Sequence, residues 1–152
     1  MRVVLQRVSS ASVQVDGQVV SEIGRGICAL VGITVDDQEA DLDYCARKLS
    51  NIRVFEDQDG AFWKKSVMDL DLEILCVSQF TLYANTFKGS KPDFHLAMKS
   101  TESRDMYELF LNKLRASYNP ERIKDGVFGA MMQVSIVNEG PVTLTIDSRI
   151  RG

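Results

Sequence analysis

Ile27-Cys28-Ala29-Leu30-Val31-Gly32-Ile33 is apolar without a break. Such a run reads as a central strand buried on both faces. Glu73-Ile74-Leu75-Cys76-Val77-Ser78-Gln79 reads as another buried strand and runs directly into Phe80-Thr81-Leu82. The remaining elements must be arranged around these two.

Residues 2–8 read as a strand, and residues 11–15 alternate, with Ala11, Val13 and Val15 on one face. Asp16-Gly17 predicts a hairpin, because both residues tolerate positive φ, and the return strand covers about 18–23. Asp36 and Asp37 start a helix that ends near Asn51, with Leu42, Cys45, Leu49 and Ile52 as its apolar stripe. Arg53-Val54-Phe55 reads as a short strand. The acidic stretch 56–60 reads as a solvated turn, since it lacks the ligand alternation and distal Glu of a calcium loop. Residues 85–99 form the longest irregular stretch and set Lys88, Lys91 and Lys99 against Asp93. Ser100 or Thr101 caps a second helix over about 102–117. Met106, Phe110 and Leu114 form its buried face, with Tyr107, Leu111 and Tyr118 beside it. Strands over about 130–137 and 142–147 flank Asn138-Glu139-Gly140-Pro141.

With 152 residues, no repeat and no linker, the expectation is one domain over 1–152. Strands with two helices suggest an α+β domain in which the helices cover one side of curved, mainly antiparallel sheets. A second reading lets the helices serve parallel crossovers. The net charge of −3 and pI near 5.2 are a poor footprint for gripping nucleic acid over a wide surface. Any RNA contact should be local. Cys28, Cys45 and Cys76 are scattered among apolar residues, which suits buried thiols in a reducing compartment. The start of the chain has no signal-peptide pattern, and no run approaches the roughly 20 apolar residues that span a bilayer. The expected location is the cytoplasm, without membrane contact.

The chemistry is constrained by what is missing. His95 is the single histidine and nothing ties it to Ser78 or Thr81, so a nucleophile–base–acid triad has no support. There is no Cys pair of metal-ligand spacing, no phosphate loop and no dinucleotide fingerprint, so no metal or cofactor is expected. An enzyme built this way would rely on backbone groups or on its substrate. Ser78 to Leu82 can deliver strand-end N–H groups to a cleft as oxyanion donors, or its polar side chains can simply satisfy the turn. Gly140-Pro141 can form a cis peptide that aims two carbonyls at one point, or a plain trans hairpin.

Taken together, Ser78-Gln79-Phe80-Thr81-Leu82 and Asn138-Glu139-Gly140-Pro141-Val142-Thr143 resemble the two signatures of the D-aminoacyl-tRNA deacylases. The similarity extends over nearly the whole chain, including Gln6-Arg7-Val8, Gly24-Arg25-Gly26-Ile27 and Lys91-Pro92-Asp93-Phe94-His95. A paralogous animal family carries P-Q-A-T-L and G-P-Y-T-H. Ser78, Phe80, Val142 and Leu144 stand here instead, so the chain resembles the chirality-checking branch.

The resemblance implies a three-layer β/β/α domain working as a homodimer on the aminoacylated CCA end of tRNA. The Gly140-Pro141 bond would be cis, its loop would enter the partner's active site, and Arg7 would hold that loop. The carbonyls of Gly140 and Pro141 would select the D-configured α-carbon, and glycine would also be accepted. Ser78, Gln79, Phe80 and Thr81 would line the carbonyl pocket. The Phe80 N–H would act as oxyanion donor and Thr81 would position, while the terminal 2′-OH helps activate water. Phe128 and Met132 would pack on the terminal adenine, or serve the core. Lys88, Lys91 and Lys99 would touch the acceptor stem, or stay solvated. The rival reading is a non-catalytic nucleic-acid-binding module, since a eukaryotic relative has been linked to DNA replication.

Overall fold

A computed structural model describes residues 1–151 of the chain. Its strands are β1 (Arg2–Val15), β2 (Gln18–Ile23), β3 (Gly26–Gly32), β4 (Glu73–Ser78), β5 (Ile123–Asp125) and β6 (Gln133–Asp147). The helices are α1 (Glu39–Asn51), between β3 and β4, and α2 (Ser100–Ser117), between β4 and β5.

β1 bonds along both edges. On one edge its first half pairs antiparallel with β3, from Arg2 opposite Gly32 to Val8 opposite Gly26. Its second half pairs with β2, from Ala11 opposite Ile23 to Val15 opposite Gln18. Asp16 and Gly17, both at positive φ, make the expected hairpin. β6 accompanies β1 along the other edge. The two strands expected over 2–8 and 11–15 are thus one strand, and the two expected after residue 130 are also one.

β4 runs parallel to β3, and β5 parallel to β4. The sheet is therefore mixed: β1 pairs antiparallel with β2, β3 and β6, as expected of a mainly antiparallel sheet, and β4 and β5 add a parallel part. The helices do serve as parallel crossovers, because a parallel return needs a connection long enough to recross the sheet.

The alternation along β3 and β4 explains their buried faces. Ile27, Ala29, Val31, Ile74 and Cys76 belong to a core shared with Leu42, Leu49, Phe110 and Leu114 of the helices. Cys28, Leu75 and Val77 point the other way, into a core shared with Val8, Val13 and Ile23 of β1 and β2. Helices cover one face and strands the other, a layered α+β domain.

Local differences have local causes. α1 begins at Glu39 and not at Asp36, because the buried Asp37 carboxylate accepts from the Thr34 N–H at 2.9 Å and the Met1 ammonium at 2.6 Å. Asp41 instead caps the helix, accepting from the Gln38 N–H at 2.8 Å. In α2 the buried face is Tyr107, Phe110, Leu111 and Leu114, and Met106 is only partly covered. The segment 53–55 contributes a single bridge, Phe55 to Lys65. No helix of the described residues is long and apolar enough to cross a membrane.

A Cβ on Gly26 would stand 1.9 Å from the Glu73 carbonyl oxygen, so Gly26→Ala must push β3 and β4 apart. Thermal or denaturant unfolding should register a loss of about 3 kcal/mol or more. All three cysteines are free and buried, and burial pushes Cys28 up to about 11 and Cys45 up to about 12. A thiol reagent at pH 8 should leave the folded protein unlabelled and react at all three positions in denaturant.

Candidate active site

The end of β4 sets the first cluster of candidate residues. Gln79 still follows β3, donating its N–H to the Val31 carbonyl at 2.7 Å. The chain then tightens into a short 3-10 helix, Phe80–Tyr83. The opening amides of such a turn have no partner inside it. Among the described residues, nothing accepts from the Phe80 or Thr81 N–H. A cleft of about 550 Å³ opens at this point, lined by Ser78, Gln79 and Phe80 and by Phe128, Ala130 and Met132. It lies at the carboxyl ends of parallel strands, where α/β arrangements commonly place ligands.

The side chains around the turn supply no catalytic base. Gln79 donates its Nε2 hydrogen to the Thr81 hydroxyl at 2.5 Å. His95 is exposed and pairs with Asp93 in the 85–99 stretch. Phe80 is 57% exposed, and its ring meets Phe94 edge to face at 5.1 Å. The arrangement offers oriented N–H donors beside an apolar cleft, which suits stabilisation of a developing oxyanion.

The opposite wall is aromatic. The Phe128 ring lies 5.7 Å from that of Tyr107, which also lines the cleft. The Arg104 guanidinium covers the Phe128 ring at 4.9 Å. The Tyr107 hydroxyl donates to Asp125 at 2.6 Å and fixes the ring from behind. Burial raises the Asp125 carboxyl above its ordinary range, against the hydrogen bonds from Tyr107 and the Gly126 amide.

A second cluster of candidate residues lies on a loop within β6. Gln6 faces Thr143 and Val8 faces Asn138, so residues 139–142 bulge out opposite Arg7. The Gly140-Pro141 peptide is cis, and Gly140 has φ +135, a region that L side chains rarely adopt. A Cβ there would meet the Val142 side chain at 2.9 Å and the Arg7 guanidinium at 3.2 Å. Arg7 is buried and donates Nε–H to the Glu139 carbonyl at 3.0 Å and an Nη1 hydrogen to the Val54 carbonyl at 2.8 Å. Glu56 stands 4.0 Å from Arg7 and pairs with Arg25 at 2.6 Å.

Asn138 closes the base of the loop. Its Oδ1 accepts from the Val142 N–H at 2.7 Å. Its Nδ2 donates to the Val142 carbonyl at 3.1 Å, to the Thr143 hydroxyl at 3.0 Å and to Gln6 Oε1 at 3.2 Å.

The structure thus gathers Ser78, Gln79, Phe80, Phe128 and Met132 around one cleft, with Thr81 on the adjoining turn. Arg7, Gly140 and Pro141 form a separate cluster. Arg7 pairs with Ile27 and Ser78 with Val31, so roughly 13 Å of β3 lies between the two groups. Sequence reasoning gave no role to Asn138 and put Tyr107 only among core residues. A side chain that brackets a loop is visible in sequence only as one more polar residue beside Gly-Pro.

The D-Tyr-tRNA(Tyr) deacylase family model matches residues 4–147. D-aminoacyl-tRNA deacylase 1 of Mus musculus is 54% identical over 152 residues, covering 100% of this chain and 72% of that protein. D-aminoacyl-tRNA deacylase of Saccharomyces cerevisiae is 51% identical over 148 residues, covering 97% of this chain and 99% of that one. A solved structure named c-Myc DNA Unwinding Element Binding Protein superposes with a TM-score of 0.94 at 55% identity, covering 97% of this chain and 98% of that one. The chain therefore belongs to the D-Tyr-tRNA(Tyr) deacylase family and is an enzyme of the hydrolase class.

Proposed function

We propose that this enzyme hydrolyses the ester of D-aminoacyl-tRNA, and of mischarged glycyl-tRNA, releasing free tRNA and the amino acid. The observation that carries the reading is the pair of unpartnered amides, Phe80 and Thr81, at the mouth of an apolar cleft without a catalytic base. The carbonyl oxygen of the ester takes the place of their missing acceptor. Water adds to the carbonyl carbon, helped by the 2′-OH of the terminal adenosine. The ester C–O bond then breaks, and the departing 3′-oxygen takes up a proton. The terminal adenine lies against Phe128 and Met132. Thr81, its hydroxyl held by Gln79, positions and does not attack.

The Gly140-Pro141 loop then acts as the chirality filter. Its separation from the cleft along β3 favours a homodimer in which each loop enters the partner's cleft. There the two carbonyls crowd an L side chain and leave room for a hydrogen. Arg7 and Asn138 hold the loop in register. The buried free thiols fit a cytoplasmic location.

The name of the similar solved structure keeps a DNA-binding reading open as the second one. A net charge of −3 gives it little to grip a duplex with. Tight duplex binding with a steep salt slope, without ester hydrolysis, would favour it.

Single-turnover hydrolysis of D-Tyr-tRNA against L-Tyr-tRNA tests the proposal. Rapid release from the D-ester alone is expected, and equal rates on both esters would sink the filter. Gly140→Ala should lower kcat/KM on the D-ester about 100-fold or more, and Thr81→Ala by less than about tenfold. Asn138→Ala should let the loop drift. Its mark is a reduced ratio of D- to L-ester rates in a protein that still folds, and an unchanged ratio would count against a positioning role.

A further inference from the structure

We propose that Arg104 binds a phosphodiester of the single-stranded RNA 3′ end at the rim of the cleft. The proposal rests on the tRNA-ester reading. Arg104 lies early in α2 and is exposed. Its guanidinium carbon lies over the Phe128 ring, 4.9 Å from the centroid. One terminal nitrogen also runs along the next residue, 3.7 Å from where a Cβ on Gly129 would stand. Phe128 and Gly129 both line the cleft, so the cation is fixed at its edge.

This arginine is unspent. No ion pair or hydrogen bond among the described residues engages it, although Glu102 and Asp105 are close in sequence. Most other arginines are engaged within the fold, and Arg47 and Arg53, which also lack an ion pair, do not border the cleft. Arg7 holds the Glu139 and Val54 carbonyls, and Arg149 is shared among Asp36, Asp37 and Asp41. A cation–π contact holds the guanidinium in place while its N–H donors stay open, and a phosphate can complete them in bidentate fashion. A nucleotide whose base lies on the Phe128 wall carries its 5′-phosphate out past this rim. The acidic chain would thus meet RNA through one placed cation and not through a broad basic face.

The test compares two substrates that share the ester and differ in phosphate. D-Tyr-tRNA carries the phosphodiester, whereas the 3′-O-D-tyrosyl ester of adenosine does not. Arg104→Gln is expected to reduce kcat/KM for the tRNA ester about tenfold more than for the nucleoside ester. The salt dependence on tRNA should become shallower by about 0.7 in log–log slope, the share of one single-strand phosphate contact. Arg104→Lys should recover the salt slope but not the full rate. Equal losses on both substrates, or an unchanged slope, would overturn the assignment. Fluorescence anisotropy with an unacylated CCA-ended oligonucleotide reads the same contact without hydrolysis. Weaker, less salt-dependent binding by Arg104→Gln supports it, and unchanged binding overturns it. Failure of the wild type to hydrolyse either ester would instead remove the deacylase reading.

Discussion

β1 is hydrogen-bonded on both edges along its length, and both clusters of candidate site residues hang from those bonds. Through β3 it fixes β4, whose end at Ser78 leads into the turn that leaves the Phe80 and Thr81 amides without an acceptor beside the cleft. Through β6 it fixes the bulge that carries Gly140 and Pro141. Arg7 sits on β1 opposite that bulge, so one strand presents the loop and also supplies the donor that holds it. A slip of one residue in β1 would turn every buried side chain to the wrong face and move both clusters at once.

The proposed chemistry needs no titrating side chain. Backbone N–H groups at the cleft and backbone carbonyls at the loop are fixed by the fold and do not change charge near neutral pH. Side chains then orient the backbone. Asn138 brackets the loop, Arg7 grips it, and Gln79 holds the Thr81 hydroxyl. The buried ion pair of Asp37 with the Met1 ammonium is structural, and the exposed Arg149 ties β6's end to the start of α1. Removing one member of such a buried pair costs far more than the pair contributes.

Much of the fold was legible because its signals are local. The hairpin at Asp16-Gly17, the central strand at Ile27 and the α1 stripe through Leu42, Cys45 and Leu49 each follow from neighbouring residues. The parallel course of β4 and β5 was held only as a second reading, since strand direction depends on how a crossover packs. Asp37 looked like a helix start, but its partner is the distant Met1 ammonium. In the site, the motif residues around Ser78 and Gly140 stood out through the family resemblance, while their own chemistry left plain turns as alternatives. Arg104 did not, because an arginine on a helix is ordinary until the ring beneath it is known.

The central claim is that one working site needs the cleft of one copy and the Gly140-Pro141 loop of another. Subunit mixing tests it most directly. Gly140→Ala disables the loop, and Ala130→Trp fills the cleft, since Ala130 lines it. Each variant alone should be inactive on D-Tyr-tRNA. Random mixing would make half of the dimers hybrid, each with one intact site, so about a quarter of wild-type activity should return. A verified hybrid dimer that stays inactive would mean that cleft and loop act within one chain, and would contradict the account.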